Sequence, residues 1–336
     1  MSLPPPELPA PLAAAIEARL EGRAQATLRE SARRLSERYR ARQPTLETIR
    51  DEADALAYAA TRMPATYAAI VTALGRLREE RHDFAPRRML DVGCGLGAAA
   101  CAAATAWPEI DEVALLDRSA LFLRLAAGLM RDGGPPAAIE PIQADLVDLA
   151  APRAIDADPF DLVVAGYALT EIAETELAAV AERLWALTSG AMVVVEPGTP
   201  RDHARLMEVR RRLLALGAHI IAPCPHQAPC PLPAPDWCHF SVRLPRRRAH
   251  RLVKGADAPF EDEKFAYLAV ARVAAAGPPW ARIIAPPRAG KAGVSLKLCA
   301  DKAFRETFIP KRDKPRYEKI RRKEWGDPLH APAEEI

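Results

Sequence analysis

The 336-residue chain lacks a long hydrophobic run. No apolar stretch reaches the ~18 residues that a membrane-spanning helix needs, so we expect no membrane association. The first eleven residues lack the basic-then-apolar order of a secretion signal, and the early acids Glu7, Glu17 and Glu21 are untypical of a transit peptide. The abundance of Ala and Arg, with 32 prolines, is typical of a GC-rich bacterial genome. We therefore predict a cytoplasmic bacterial protein.

Cysteine is scarce, and none of the six cysteines forms a Cys-x-x-Cys pair. Paired disulfides are not expected in the cytoplasm, and the missing close pairs disfavour the usual structural zinc site. Three cysteines nevertheless fall between residues 224 and 238 with prolines beside them, a spacing closer to iron–sulfur ligation. Buried cysteines without a metal are the alternative. The candidate ligands are Cys224, Cys230, Cys238 and Cys299, with His226 and His239 in reserve and zinc as the second choice of metal.

Helical composition dominates residues 10–82, where apolar residues recur three and four positions apart. We predict an N-terminal helical cap whose role is packing, with partner binding as the alternative. From residue 86 onward short apolar runs alternate with helical stretches, which predicts βαβ units on a parallel sheet. The predicted strands are Arg88–Val92, Glu112–Leu116, Ala138–Ala144, Phe160–Ala165 and Ala191–Val195.

The remainder of the chain, from about residue 221, is irregular in pattern. Six prolines fall between Ile221 and Pro235, which predicts an ordered loop without regular structure. Beyond it we predict a strand over His239–Leu244, a helix over Glu261–Val273, a hairpin of Arg282–Ile284 with Val294–Cys299, a strand over Phe304–Pro310 and a basic final helix over Arg316–Trp325.

A glycine-rich segment, Asp91-Val-Gly-Cys-Gly-Leu-Gly97, follows the first predicted strand. Glycines permit positive φ, and a helix start offers free N–H groups to an anion. The segment resembles motif I of class I S-adenosylmethionine methyltransferases, in which Asp91 would receive the ammonium of the cofactor. Asp117 is placed for the ribose hydroxyls and Asp145 for the adenine amino group. The predicted cofactor-binding residues are Asp91, Gly93, Gly95, Gly97, Asp117 and Asp145.

The predicted fold class is α/β: a Rossmann-like class I methyltransferase sheet with an N-terminal helical cap and a cysteine-rich, partly β C-terminal region. The predicted boundaries are 1–82 for the helical region, 83–220 for the S-adenosylmethionine-binding domain and 221–336 for the cysteine-cluster and basic region.

A recognisable catalytic motif is missing. Many base-modifying methyltransferases carry Asn-Pro-Pro-Tyr after the fourth strand, where this chain has Ala-Gly-Tyr-Ala-Leu-Thr-Glu. No cysteine nucleophile lies directly after the fourth or fifth predicted strand, which disfavours attack on a pyrimidine carbon. Tyr167, Thr170 and Glu171 can touch substrate or cofactor, with a structural role as the equal alternative. Methyl transfer depends mainly on proximity and alignment, so we predict no catalytic residue and leave enzymatic activity open.

Several segments together resemble one family, the methyltransferase-like proteins of the small ribosomal subunit. This family comprises mitochondrial assembly factors, Rsm-type proteins of yeast among them, and bacterial relatives. The resemblance implies a 4Fe–4S cluster on the four cysteines, S-adenosylmethionine binding, and association with the RNA of the small subunit or its assembly intermediate. The segments are motif I, Glu196-Pro197-Gly198, Ala222–Pro231, Cys238, Phe260–Phe265, Cys299, Lys311–Asp313 and Trp325–Asp327.

The net charge is only +3, but positive charge is concentrated in two segments. Arg243–Lys254 carries six basic residues and no acid, and Lys302–Lys323 carries ten against three acids. Such segments suit phosphate contacts, and Tyr317 and Trp325 are placed to stack on bases; a merely solvated face is the alternative. The predicted RNA contacts are Arg246, Arg247, Arg248, Arg251, Lys311, Arg312, Arg321 and Arg322.

These features predict a monomeric protein that binds S-adenosylmethionine, contains an iron–sulfur cluster and acts on small-subunit ribosomal RNA or its assembly and translation. One alternative is an active RNA methyltransferase. Another is a redox- or iron-responsive ribosome-binding factor that transfers no methyl group.

Overall fold

The computed structural model describes residues 6–40, 49–148, 158–300 and 303–331. Its α-helices are α1 Ala10–Leu20, α2 Gln25–Arg40, α3 Glu52–Thr61, α4 Met63–Glu80, α5 Ala98–Ala106, α6 Ala120–Gly133, α7 Glu174–Ala186, α8 Pro200–Ala215, α9 Arg248–Lys254 and α10 Lys314–Ile320. Its strands are β1 Arg88–Val92, β2 Glu112–Asp117, β3 Ala138–Gln143, β4 Phe160–Gly166, β5 Thr188–Pro197, β6 His219–Ala222, β7 Phe240–Pro245, β8 Phe260–Ala271, β9 Ala281–Ile283, β10 Arg288–Ala289, β11 Gly293–Ala300, β12 Ala303–Pro310 and β13 Pro328–Leu329. Within these described ranges, none of the helices has the length and apolar character that crossing a membrane requires.

The centre of the fold is an eight-stranded sheet with the order β3-β2-β1-β4-β5-β8-β6, in which β7 also pairs with β8. The first five strands run parallel, and β8 is antiparallel to both β5 and β6. Strands β1, β4 and β5 are buried along most of their length because helices cover both faces. The strand order reverses between β1 and β4, the point where Rossmann-like sheets bind ligands. The predicted α/β, methyltransferase-like fold is confirmed.

The predicted helical cap is also confirmed where the structure describes it, as α1 to α4. Helix α4 is its central element, because thirteen of its 18 residues are buried. It packs against α5 on one side and against β7 and β8 on the other. The opposite face of the sheet is covered by α7 and α8. The cap therefore joins the core of the sheet instead of standing apart from it.

A second, antiparallel sheet follows, with the order β10-β11-β9-β13 and β12 paired to β11. The predicted hairpin is confirmed, since β9 pairs with β11 and places Arg282 opposite Cys299. The core of this sheet is small and is formed by residues such as Leu296, Leu298 and Ile309. The position of Cys299 beside the first sheet depends on this pairing.

The helix predicted over Glu261–Val273 is wrong, because the segment forms β8. Its half from Phe265 to Ala271 is fully buried between β5 and β6. A continuous apolar run does not by itself distinguish a buried strand from a buried helix. The final helix is also shorter than predicted and ends at Ile320. Since β7 and β8 belong to the first sheet, that sheet continues well beyond residue 220.

Candidate functional site

The glycine loop lies at the carboxyl end of β1, where the strand order reverses. Gly93, Gly95 and Gly97 have φ values of +63°, +53° and +83°, a region that L side chains rarely adopt. A Cβ atom on Gly93 would lie 2.7 Å from the Cβ of Ala168, whereas one on Gly95 would meet no atom within 4 Å. Packing thus requires the first glycine, while the space above Gly95 is open to a ligand. Gly97 is the N-cap residue of α5.

Two buried acids hold this loop in place. Asp117, at the end of β2, accepts hydrogen bonds from the backbone N–H groups of Gly95 at 2.9 Å and Ser119 at 2.8 Å. Asp91 accepts from the N–H of Ala100 at 2.9 Å, in the first turn of α5. Burial raises the pKa of Asp91 to about 8 and shifts the pKa of Asp117 in the same direction. Both acids therefore lie at the loop, as predicted.

A small cavity lies between this loop and the helical cap. It is lined by Asp91, Gly93, Cys94, Gly95, Leu96, Ala98 and Ala99, by Tyr58, Met63, Thr66 and Ile70 of the cap, and by Gly166 at the end of β4. The sequence pattern predicted packing for the cap, with partner binding as the alternative, so its contribution to this cavity was missed. Apolar residues at helical spacing give no signal that separates the two roles.

Asp145 lies on the same edge of the sheet, just beyond β3. Its carboxylate accepts a hydrogen bond from the N–H of Val147 at 3.0 Å and lies 3.7 Å from the guanidinium of Arg118. The adjacent Leu146 packs near Gly93. Asp145 therefore flanks the loop cavity without lining it.

Tyr167, directly after β4, is the one described residue other than glycine with positive φ, at +59°. Its hydroxyl donates to Glu263 of β8 at 2.7 Å, and Arg62 of the cap pairs with the same carboxylate at 2.8 Å. The guanidinium of Arg62 also lies over the Tyr167 ring. This group joins the cap, β4 and β8 beside the loop cavity.

The neighbouring polar groups after β4 make internal contacts. Thr170 donates its hydroxyl hydrogen to Asp202 at 2.7 Å. Glu196, of the Glu-Pro-Gly segment, accepts from the N–H groups of Leu169 at 2.9 Å and Thr170 at 3.0 Å. Burial raises the pKa of Glu196 well above its usual range. Glu196 and Thr170 thus hold the turn after β4, a role that sequence reasoning did not assign to Glu196.

The four predicted ligand cysteines line a single cavity between the two sheets, with about 480 Å³ of empty space. Cys224 follows β6, Cys230 lies in the proline-rich loop, Cys238 precedes β7, and Cys299 lies near the end of β11. The walls also include the apolar side chains of Leu206, Met207, Leu232, Phe240 and Ile284. Chain segments 75 residues apart are therefore brought to one place.

Burial governs the acidity of these thiols. It raises the pKa of Cys299 to about 12 and raises the pKa values of Cys224 and Cys238 as well. Without a cation, these thiols stay protonated at neutral pH. In the described ranges, no group of three or more His, Cys, Asp or Glu side chains is arranged to hold a metal ion. The four cysteines nevertheless line the same cavity.

The two reserve histidines differ in their positions. The Nε2 atom of His226 lies 3.4 Å from the Sγ atom of Cys299. His239 instead stacks on Trp237 with ring centroids 4.9 Å apart and meets Trp325 edge-on at 4.9 Å. His226 therefore contacts one of the four cysteines, while His239 is part of an aromatic group.

The predicted RNA-binding residues differ in their exposure and in whether they form ion pairs. Arg246 is largely buried and pairs with Glu261 at 2.9 Å, and Arg321 pairs with Glu318 at 2.6 Å. Trp325 is partly buried, and its ring packs against Phe240 and His239, so it does not present a free ring for a base. The exposed members are Arg247, Arg248, Arg251, Lys311, Arg312, Arg321 and Arg322.

The strand order, the glycine loop at its reversal and the antiparallel β8 between β5 and β6 define a Rossmann-like protein of the class I methyltransferase type. Residues 52–330 match the family described as mitochondrial small ribosomal subunit Rsm22. Because the match covers most of the chain, the protein belongs to this family.

Curated relatives agree with the family. The chain is 29% identical over 296 residues to the Homo sapiens ribosome assembly protein METTL17, mitochondrial, covering 82% of this chain and 62% of that protein. It is 26% identical over 324 residues to the Schizosaccharomyces pombe Rsm22-cox11 tandem protein 2, mitochondrial, a match that covers 81% of this chain and 42% of that protein. The chain therefore spans less than two thirds of the length of these relatives.

Solved methyltransferase structures show weak similarity. Magnesium protoporphyrin IX methyltransferase from Synechocystis PCC 6803 has a TM-score of 0.40 and 13% sequence identity, over 62% of this chain and 84% of that one. The fold assignment rests on the strand order described above.

The prediction of a cytoplasmic bacterial protein is contradicted by these relatives, because both are described as mitochondrial. The residues used for that prediction carry no information on compartment. Glu7 and Glu21 are exposed on either side of α1, where acidic side chains are expected from solvation alone.

Proposed function

We propose that the protein is an S-adenosylmethionine-binding, 4Fe–4S-containing, methyltransferase-like factor that binds ribosomal RNA of a mitochondrial-type small subunit during assembly. Family membership supports the ribosomal role, since one relative is described as a ribosome assembly protein. The observation that carries the proposal is the meeting of four distant thiols in one cavity.

The cavity fits a cluster by its donors and its walls. Thiolates of Cys224, Cys230, Cys238 and Cys299 would hold the iron atoms, as in other Cys₄ clusters. The absence of a Cys-x-x-Cys pair favours a cluster over a single structural zinc ion, which usually has such pairs among its ligands. When bound, the cluster supplies a one-electron redox group and a cross-link between the two sheets.

The glycine loop fits the cofactor in the same way. The start of α5 offers N–H groups to a carboxylate, and the space above Gly95 is open. Asp91 lines the cavity and would pair with the ammonium group on losing the proton that its raised pKa retains. Asp117, at the end of β2, would accept hydrogen bonds from the ribose hydroxyl groups. When bound, S-adenosylmethionine supplies an activated methyl group.

Binding without methyl transfer is the function that the loop region favours. The hydroxyl groups of Tyr167 and Thr170 are already donated to Glu263 and Asp202. Neither hydroxyl hydrogen is therefore available for a hydrogen bond to a substrate base. Exposed arginines of α9 and the basic segment after β12 supply the charge for phosphate contacts.

The proposal is tested by sedimentation with small-subunit particles. Cys230→Ser should lose iron and sediment less with the particles, because the cluster holds the loop between the sheets. Cys101→Ala is the matched control, since Cys101 is buried in α5 against Met130 and should leave both measurements unchanged. Wild-type protein that does not sediment with the particles would overturn the ribosomal role.

A further inference from the structure

Two buried hydrogen-bonding groups in the cysteine cavity have no partner within the described part of the protein. They are the Oη atom of Tyr267, on β8, and the Nε2 atom of His203, on α8. Both residues line the cavity together with the four thiols. A buried polar group left unpaired costs about 1–3 kcal/mol, so each atom requires a partner that occupies the cavity.

The packing of Tyr267 does not explain its hydroxyl group. The residue is 3% exposed, and its ring lies 5.2 Å from the ring of Phe240 and 6.0 Å from that of Phe265. Phenylalanine would make the same ring contacts. The hydroxyl is therefore a polar group placed in an otherwise aromatic cluster, facing a cavity whose other polar lining includes Cys238.

The buried charged groups near the cavity are positive, so they favour a negatively charged occupant as hydrogen-bond donors do. Arg282 is fully buried beside the cavity, and Arg210 is buried close enough to influence Cys224 and Cys299. A cluster held by four thiolates is negatively charged and gains further negative charge on reduction. Hydrogen bonds to its sulfur atoms and nearby cations therefore stabilise the reduced form more than the oxidised form.

We propose that Tyr267 and His203 donate hydrogen bonds to sulfur atoms of the cluster and raise its reduction potential. The inference rests on the proposed function, because it requires the cluster. The couple adds one electron to the cluster, supplied in the experiment by dithionite, and no bond forms or breaks.

Tyr267→Phe tests the inference in a redox titration followed by electron paramagnetic resonance without oxygen. The variant should contain as much iron as wild type, and its equilibrium constant for reduction should fall about tenfold, or about 59 mV for one electron. The control is Tyr67→Phe, which removes a buried hydroxyl bonded to Thr105 at 3.0 Å on α4, away from the cavity. Its potential should stay at the wild-type value.

The outcomes separate the inference from the function on which it rests. Iron-loaded Tyr267→Phe with the wild-type potential overturns the inference alone, whereas iron-free wild type overturns the cluster itself. If Tyr267→Phe does not accumulate as folded protein, His203→Ala replaces it. The potential of that variant should become more negative, and an unchanged potential overturns the inference.

Discussion

Arg282 and Glu80 form an ion pair 3.1 Å long with both side chains buried, at 0% and 2% exposure. Glu80 ends α4, whose first half lines the glycine-loop cavity. Arg282 lies opposite Cys299 in the second sheet and donates to the carbonyl of Pro223, the residue before Cys224, at 2.9 Å. One ion pair therefore links the helix beside the glycine loop to two of the cysteine segments.

Breaking this pair should destabilise the protein strongly. Glu80→Gln leaves the Arg282 guanidinium buried without its countercharge, which costs about 3–5 kcal/mol in comparable cases. The free energy of unfolding in urea measures the loss. Arg33→Ala is the control, because Arg33 pairs with Glu30 and Glu37 on the surface and its removal should change little. Equal effects of the two substitutions would show that the buried pair has no special role.

Alanine substitutions at two glycines should separate the effect of backbone strain from the effect of ligand contact. Gly95 and Gly217 both have positive φ, at +53° and +79°, and a Cβ on either would meet no atom within 4 Å. Each alanine substitution should therefore lower the free energy of unfolding by about 1–2 kcal/mol. Only Gly95→Ala should weaken S-adenosylmethionine binding, by tenfold or more in calorimetry, because its methyl group enters the open space. Unchanged affinity in Gly95→Ala would argue against the site.

The buried carboxyl of Asp91 should make stability depend on pH. Its pKa is raised from 3.8 to about 8 by burial, so between these values the folded protein keeps a proton that the unfolded chain has lost. Stability from this group is complete below about pH 4 and falls as pH rises towards 8. Asp91→Asn should flatten the curve of unfolding free energy between pH 5 and 8, by up to about 1.4 kcal/mol per pH unit. Parallel curves for wild type and variant would show that Asp91 is not the source of the pH dependence.

The exposed arginines in α9 and at its N-cap should contribute to RNA affinity through phosphate contacts. Joint substitution of Arg247, Arg248 and Arg251 by alanine should weaken binding to small-subunit ribosomal RNA. It should also reduce the slope of log affinity against log salt by about 2–3, since each phosphate contact contributes about 0.7–0.9. Arg131→Ala, exposed on α6, is the control. A slope that stays the same would place the RNA elsewhere on the surface.

Features set by local sequence were predictable. Strand β1 was predicted with its observed bounds. The positive φ values of Gly93, Gly95 and Gly97 follow from the glycine motif and need no distant contact.

Features set by distant partners were not predictable. The β8 segment is a strand because β5 and β6 lie on either side of it, and its apolar run suits a buried helix equally well. Glu261, on β8, engages Arg246 and removes it from the exposed basic surface. The unpaired hydroxyl of Tyr267 could not be predicted from the sequence, because it depends on the cavity that the fold forms around it.

The most direct test of the account is the iron and sulfide content of protein purified without oxygen. The four thiols around one cavity predict a brown protein with about four iron atoms per chain, and Cys224→Ser should remove them. A colourless protein that contains zinc, or no metal at all, would contradict the central claim.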